Sequence, residues 1–218
     1  MDNSFKYLIS PDLKTLRNFS PKLKIAVLAS GEGTNFQELI DLSLTNRFDI
    51  DIKILITNKY DAGCITRAKE SNIPYKIISS NEFNNKKYFE KEIIDTITKS
   101  DVELVVMAGW MKIVSSSFVN TFKDRLINIH PSLLPSYKGN NAIMDALSNG
   151  SKITGCSVHY VEAEVDSGSL IMQAALTISD SDNINSISKK LHILEHKILP
   201  PSIAYAGDLI RKKIMDND

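Results

Sequence analysis

Short apolar runs alternate with amphipathic stretches along the first half of the chain. This alternation restricts the fold more than any other feature of the sequence. Residues 24–29 (KIAVLA) form a brief apolar run that predicts a buried strand. The run breaks at residues 30–35, Ser-Gly-Glu-Gly-Thr-Asn, and a helical pattern follows with Phe36, Leu39, Ile40 and Leu44 on one face. Residues 51–57 (DIKILIT), 74–79 and 102–108 (VELVVMA) read as further strands, with helices expected over 62–71 and 84–99. Strand and helix in strict succession predict right-handed crossovers. The expected fold class is therefore α/β, with a doubly wound, mostly parallel sheet covered on both faces. Such sheets bind ligands beyond the carboxyl ends of their strands. Loops 30–35 and 109–112 and the segment 128–135 should therefore converge on one edge.

The second half has a different rhythm. Residues 126–129 read as a short strand entering His130-Pro131-Ser132-Leu133-Leu134-Pro135. Residues 140–149 look helical and stop at Gly150, a suitable C-cap. Residues 153–161 and 170–178 have good β propensity and are joined by 162–169, a hairpin that would add antiparallel strands to the sheet. Residues 184–196 and 198–214 are helical in pattern, and Pro200 and Pro201 are expected to kink or break that stretch. Residues 1–23 are read as an N-terminal extension and residues 24–218 as a single domain.

Composition narrows the function classes. With 218 residues, 43% of them hydrophobic, the chain can bury a real core without a disulfide or metal staple. Its 26 basic and 26 acidic side chains cancel, which removes the electrostatic case for a nucleic-acid partner. A phosphorylated small molecule needs only local complementarity and stays open. Cys64 and Cys156 are too few for a disulfide framework or a thiolate zinc site, the four histidines are read as scattered, and no metal is expected. No apolar run spans a bilayer, and the leading residues carry Asp2 and Asp12 but no apolar secretory core. A cytoplasmic protein with no membrane partner is the expectation.

Three polar groupings could carry chemistry. Gly31, Gly33, Thr34 and Asn35 lie between a strand and a helix, where backbone N–H groups can face an anion. The third glycine of a dinucleotide fingerprint and the lysine of a nucleotide P-loop are both missing. The loop therefore fits a single phosphate, or simply a strand-to-helix turn. Asn128 and His130, at i and i+2 on an extended segment, project to one face. They suit stabilisation of an oxyanion with proton transfer, or a structural asparagine beside a satisfied histidine. Asp166, on the loop between the hairpin strands, could orient and charge His130, or be an ordinary turn aspartate before Ser167-Gly168. His159 is a pocket or supporting residue or a half-buried strand residue, and Trp110 lines a pocket or fills core.

Taken together, four segments resemble the phosphoribosylglycinamide formyltransferase family: KIAVLASGEGTNFQELID (24–41), LVVMAGWMKIVSSSFV (104–119), LINIHPSLLPSYKG (126–139) and GCSVHYVEAEVDSGSLIMQ (155–173), with LEHKILPPSI (194–203) also familial. The resemblance implies a formyltransferase fold with a Rossmann-like N-terminal half. It implies transfer of a formyl group from 10-formyltetrahydrofolate, as co-substrate, to the amine of glycinamide ribonucleotide in purine biosynthesis. It implies a catalytic trio of Asn128, His130 and Asp166. The nucleotide phosphate is expected at Gly33, Thr34 and Asn35 with help from Lys86, and the glycinamide end near Glu195. Folate is expected along Trp110, Met111, Lys112, Ile113, His159 and Val161. Asn141, Cys156 and Ala163 are read as departures from the family pattern that adjust substrate or folate contacts. Methionyl-tRNA formyltransferase and formyltetrahydrofolate hydrolase share the fold, and each is expected to carry a further domain. Only small-molecule partners are expected, in a monomer or homodimer.

Overall fold

The computed structural model describes residues 5–13, 16 and 18–216. Residues 1–4, 14, 15 and 17 of the expected extension, and 217–218 of the expected domain, lie outside the described residues. The strands are β1 (Tyr7–Ser10), β2 (Leu23–Leu28), β3 (Ile50–Thr57), β4 (Tyr75–Ile77), β5 (Leu104–Met107), β6 (Leu126–His130), β7 (Ile153–Tyr160) and β8 (Leu170–Thr177). The α-helices are α1 (Thr34–Leu44), α2 (Cys64–Glu70), α3 (Lys86–Lys99), α4 (Ser116–Thr121), α5 (Ala142–Ser148) and α6 (Ile184–Met215).

All eight strands join one sheet in the order β1-β8-β7-β6-β5-β2-β3-β4. The β6-β5-β2-β3-β4 portion is parallel, and β7, β8 and β1 extend it with antiparallel pairings. Both halves of the expected fold class are thus present. The chain moves outward from β2 through β3 to β4, then returns to place β5 on the other side of β2. This reversal makes the β2–β5 junction the topological switch point, where loops diverge and leave a crevice.

Strand alternation divides the core in two. Ile25, Val27, Leu104 and Val106 pack toward α1, α2 and α6, whereas Ala26, Leu28, Val105 and Met107 pack toward α3 and α4. Phe36, Leu39 and Ile40 anchor α1 on the first face, and Phe89, Ile93 and Ile97 anchor α3 on the second. Each such burial stabilises the fold by about 1.5–3 kcal/mol before conformational entropy is counted.

Three features depart from the sequence reading. Residues 7–10 form an edge strand against β8, and 116–121 form α4, neither of which the apolar alternation announces. The C-terminal helix also runs unbroken through Pro200 and Pro201. Each proline removes one N–H from the helical ladder, and the Ser202 hydroxyl donates to the Ile198 carbonyl at 2.7 Å in the same turn. Ile198, Leu199, Ile203 and Ala204 are buried around the prolines, so packing holds the helix on course where propensity alone would stop it. At its start, Asn183 and Ser186 form a reciprocal capping box.

Candidate active site

The switch-point crevice opens into a cleft of about 650 Å3, within the range of small-molecule sites. Its floor begins at the loop after β2. Gly33 has φ +71°, and a Cβ there would lie 2.6 Å from the Cys64 Cβ, so only glycine lets the loop turn over α2. No side chain caps α1 at Gly33, leaving its first N–H groups for an anion. Ser30 ties this loop to the loop after β5. Its N–H donates to the Gly109 carbonyl at 3.0 Å, its hydroxyl donates to Asn58 Oδ1 at 2.6 Å, and that hydroxyl accepts from the Met111 N–H at 3.0 Å.

Asn35 turns inward from α1. Its Nδ2 donates to Glu195 Oε2 of α6 at 2.8 Å, while its buried Oδ1 has no partner. Glu195 is itself buried, and that burial raises its carboxyl pKa despite the Asn35 hydrogen bond and the nearby His192 and His130. A carboxylate beside an unpaired amide oxygen forms an acceptor-rich pocket suited to an amine or hydroxyl.

Across the cleft, β6 ends in Asn128 and His130, and the antiparallel register sets His159 of β7 directly opposite Asn128. Asn128 Nδ2 lies 3.2 Å from His159 Nε2, and His159 Nδ1 donates to the Tyr160 carbonyl at 2.8 Å. The loop between β7 and β8 delivers Asp166 at φ +49°. Asp166 Oδ2 accepts from the Gly139 N–H at 2.8 Å and faces His130 Nδ1 at 3.4 Å, and its Oδ1 faces His159 Nε2 at 3.6 Å. Burial would raise the Asp166 pKa, but His159, the Gly139 N–H and His130 together hold it below the ordinary carboxylate value. His130 Nε2 donates to the Tyr137 carbonyl at 2.9 Å, so the proton on that nitrogen is committed. Nδ1, toward Asp166, is the nitrogen left to exchange a proton.

The remaining wall is apolar. Trp110 is buried, stacks on Phe89 with ring centroids 6.5 Å apart, and leaves its Nε1 without a partner. Met111 and Ile113, 58% and 60% exposed, present apolar surface at the mouth, where Val161 and Val165 also line the cleft. The loop that carries them is fixed at its far end by Glu90 of α3, which accepts from both the N–H and the hydroxyl of Ser115.

The cleft therefore brings together Gly33, Thr34, Asn35, Trp110, Met111, Lys112, Ile113, Asn128, His130, His159, Val161, Asp166 and Glu195. Lys86 is not brought in. It stands at the start of α3 and pairs with Glu90 at 3.7 Å, because α3 covers the sheet face opposite α1. Asn141 and Ala163 do line the cleft, but Cys156 does not. Its side chain is fully buried in the core, where burial and the Glu195 charge push its thiol pKa far up. Ser30, which opens the glycine loop singled out in the sequence, and Asn58, Glu90, Tyr137, Gly139 and His192, which were given no role there, complete the site and its supports. Among the described residues, no group of three or more His, Cys, Asp or Glu is arranged to hold a metal ion, and no helix is long and apolar enough to cross a membrane.

Comparison with known proteins points the same way as this geometry. The formyl transferase family model matches residues 23–203. The phosphoribosylglycinamide formyltransferase of Bacillus subtilis (strain 168) is 36% identical over 180 residues, covering 83% of this chain and 92% of that protein. The trifunctional purine biosynthetic protein adenosine-3 of Chironomus tentans is 37% identical over 84% of this chain, and the chain spans only 14% of that protein's length. The crystal structure of glycinamide ribonucleotide transformylase 1 from Symbiobacterium toebii superposes with a TM-score of 0.84 at 31% identity, covering 88% of this chain and 92% of that one.

Proposed function

The chain belongs to the formyl transferase family, and from that premise we propose that it transfers the formyl group of 10-formyltetrahydrofolate to the amine of glycinamide ribonucleotide. One observation carries the reading. Asn128 and His130 at the end of β6 and Asp166 from the distant β7–β8 loop meet in one cleft that Glu195 and Asn35 also line.

The cleft's two ends suit the two substrates. The uncapped start of α1 at Gly33, Thr34 and Asn35 takes the nucleotide phosphate, and Glu195 with Asn35 Oδ1 accepts hydrogen bonds from the glycinamide end. Trp110, Met111, Ile113 and Val161 offer the apolar surface that a flat pterin ring needs. Holding both substrates in one cleft supplies proximity and orientation.

The substrate amine is the nucleophile, so no protein nucleophile is required. As the nitrogen–carbon bond forms, negative charge develops on the formyl oxygen. Asn128 donates an N–H toward it, and the positive charge of His130 stabilises it. Asp166 stabilises that charge and takes part in moving the proton from the attacking amine to the departing folate nitrogen. Collapse breaks the bond between the formyl carbon and the folate nitrogen, so one bond forms, one breaks and one proton changes carrier. The test is an assay of purified protein with both substrates. Formylated nucleotide is the expected product, and its absence from well-folded protein would overturn the reading.

A further inference from the structure

We propose that His159 is a positioning residue, whose neutral imidazole accepts a hydrogen bond from the Asn128 amide and so fixes which end of that amide faces the reaction. The inference rests on the reading of Asn128 as an oxyanion donor. His159 is 1% exposed and stands opposite Asn128 in the β6–β7 ladder. Its Nδ1 lies 2.8 Å from the Tyr160 carbonyl oxygen. A carbonyl can only accept, so Nδ1 carries a proton. In a neutral ring Nε2 then presents a lone pair, and Asn128 Nδ2 lies 3.2 Å from it.

The consequence concerns amide orientation. An amide has a donor end and an acceptor end of almost the same shape. If the amide turned over, its oxygen would meet the Nε2 lone pair, with nothing to gain and a buried hydrogen bond to lose. The NH2 end is therefore held on the side of the cleft shared with Asp166 and His130. One of its hydrogens is spent on His159, and the other is left for the formyl oxygen. Asp166 is the charged group that faces Nε2, at 3.6 Å, beyond hydrogen-bond distance and farther than Asn128. His130, the other titratable group bordering Asp166, turns its nitrogens to Tyr137 and Asp166.

Two substitutions separate this role from bulk packing. Glutamine at 159 can present its side-chain oxygen near the position of Nε2 and still accept from Asn128. Asparagine reaches only the position of Nδ1. His159→Gln should keep kcat within about tenfold of the parent, whereas His159→Asn should lose about 100-fold in kcat with little change in either KM, the scale of one misplaced oxyanion donor. In an Asn128→Ala background, His159→Asn should cost no further activity, because its effect passes through the amide. Equal losses in His159→Gln and His159→Asn, or a full His159→Asn penalty on top of Asn128→Ala, would overturn the proposal. An Asn128→Ala protein as active as the parent would instead remove the oxyanion-donor reading itself. Nitrogen NMR of the unsubstituted protein, labelled at histidine, gives a check independent of folding in the variants. A protonated Nδ1 and an unprotonated Nε2 are expected near neutral pH, and a protonated Nε2 would refute the assignment.

Discussion

Asp166→Asn keeps the shape of the side chain and removes its charge, which makes it the sharpest probe of the site. The carboxylate oxygen lies 3.4 Å from His130 Nδ1, and both side chains are nine-tenths or more buried. At an effective dielectric near 20, a full charge pair at that distance attracts by about 5 kcal/mol. If half of that attraction is what keeps the imidazole charged in the transition state, about 2.5 kcal/mol is lost and kcat falls about 70-fold. KM for either substrate should change little, because Asp166 sits between the two binding ends. Initial-rate formyl transfer, with a melting curve on the same sample, measures both quantities. The substitution has a stability signature too. A carboxyl held below its ordinary pKa contributes stability that is present above the unfolded value of about 3.9 and is lost as pH falls through the lower folded value. The parent should therefore lose more stability than the variant when pH drops below about 4. A folded Asp166→Asn protein with kcat within threefold of the parent would refute the pairing of Asp166 with His130.

Other perturbations test the supports of the cleft. Burial raises the Glu195 pKa, so its charged form opposes folding, and stability present below its unfolded pKa is lost as pH rises through the folded value. Glu195→Gln should melt at the same or a higher temperature at neutral pH while weakening binding of the amine substrate at least about tenfold, and a clear drop in melting temperature would contradict that sign. Ser30→Ala strands Asn58 Oδ1 and the Met111 N–H. A loss of about 1–3 kcal/mol in unfolding free energy is expected, with KM for the folate substrate rising more than KM for the nucleotide. Gly33→Ala forces a Cβ to 2.6 Å from the Cys64 Cβ at φ +71°. Calorimetry should show nucleotide binding weakened about tenfold or more, and unchanged affinity would remove the loop from the phosphate site.

Much of the fold was legible in order along the chain. Ile25 with Val27 and Ala26 with Leu28 are all apolar, as strands covered on both faces must be, and the helices between them show one-sided burial. Where reading failed, a competing physical effect decided. Pro200 and Pro201 were expected to kink or break the stretch, and the helix is not broken: buried residues on either side carry α6 through them. Residues 7–10 include Tyr7, Leu8 and Ile9, but the run is only four residues long and its pairing with β8 at the sheet edge, which leaves Tyr7 and Leu8 exposed, is set by tertiary structure. Lys86 looked available for an anion, but a crossover placed its helix on the far face of the sheet.

The sequence by itself determined the kinds of groups available: a glycine turn before a helix, an amide and an imidazole two residues apart on a strand, and a carboxylate before glycine. Local periodicity and residue chemistry are properties of neighbours in the chain, so they can be read in one dimension. Tertiary structure decided which of those groups meet. It set Asn128 against His159 through strand register, brought Asp166 between two imidazoles through the β7–β8 loop, and paired Asn35 with Glu195 across 160 residues of chain. Those contacts depend on the order of strands in the sheet and on which face each crossover covers. Both are fixed by packing summed over the whole core, and no local segment carries that sum.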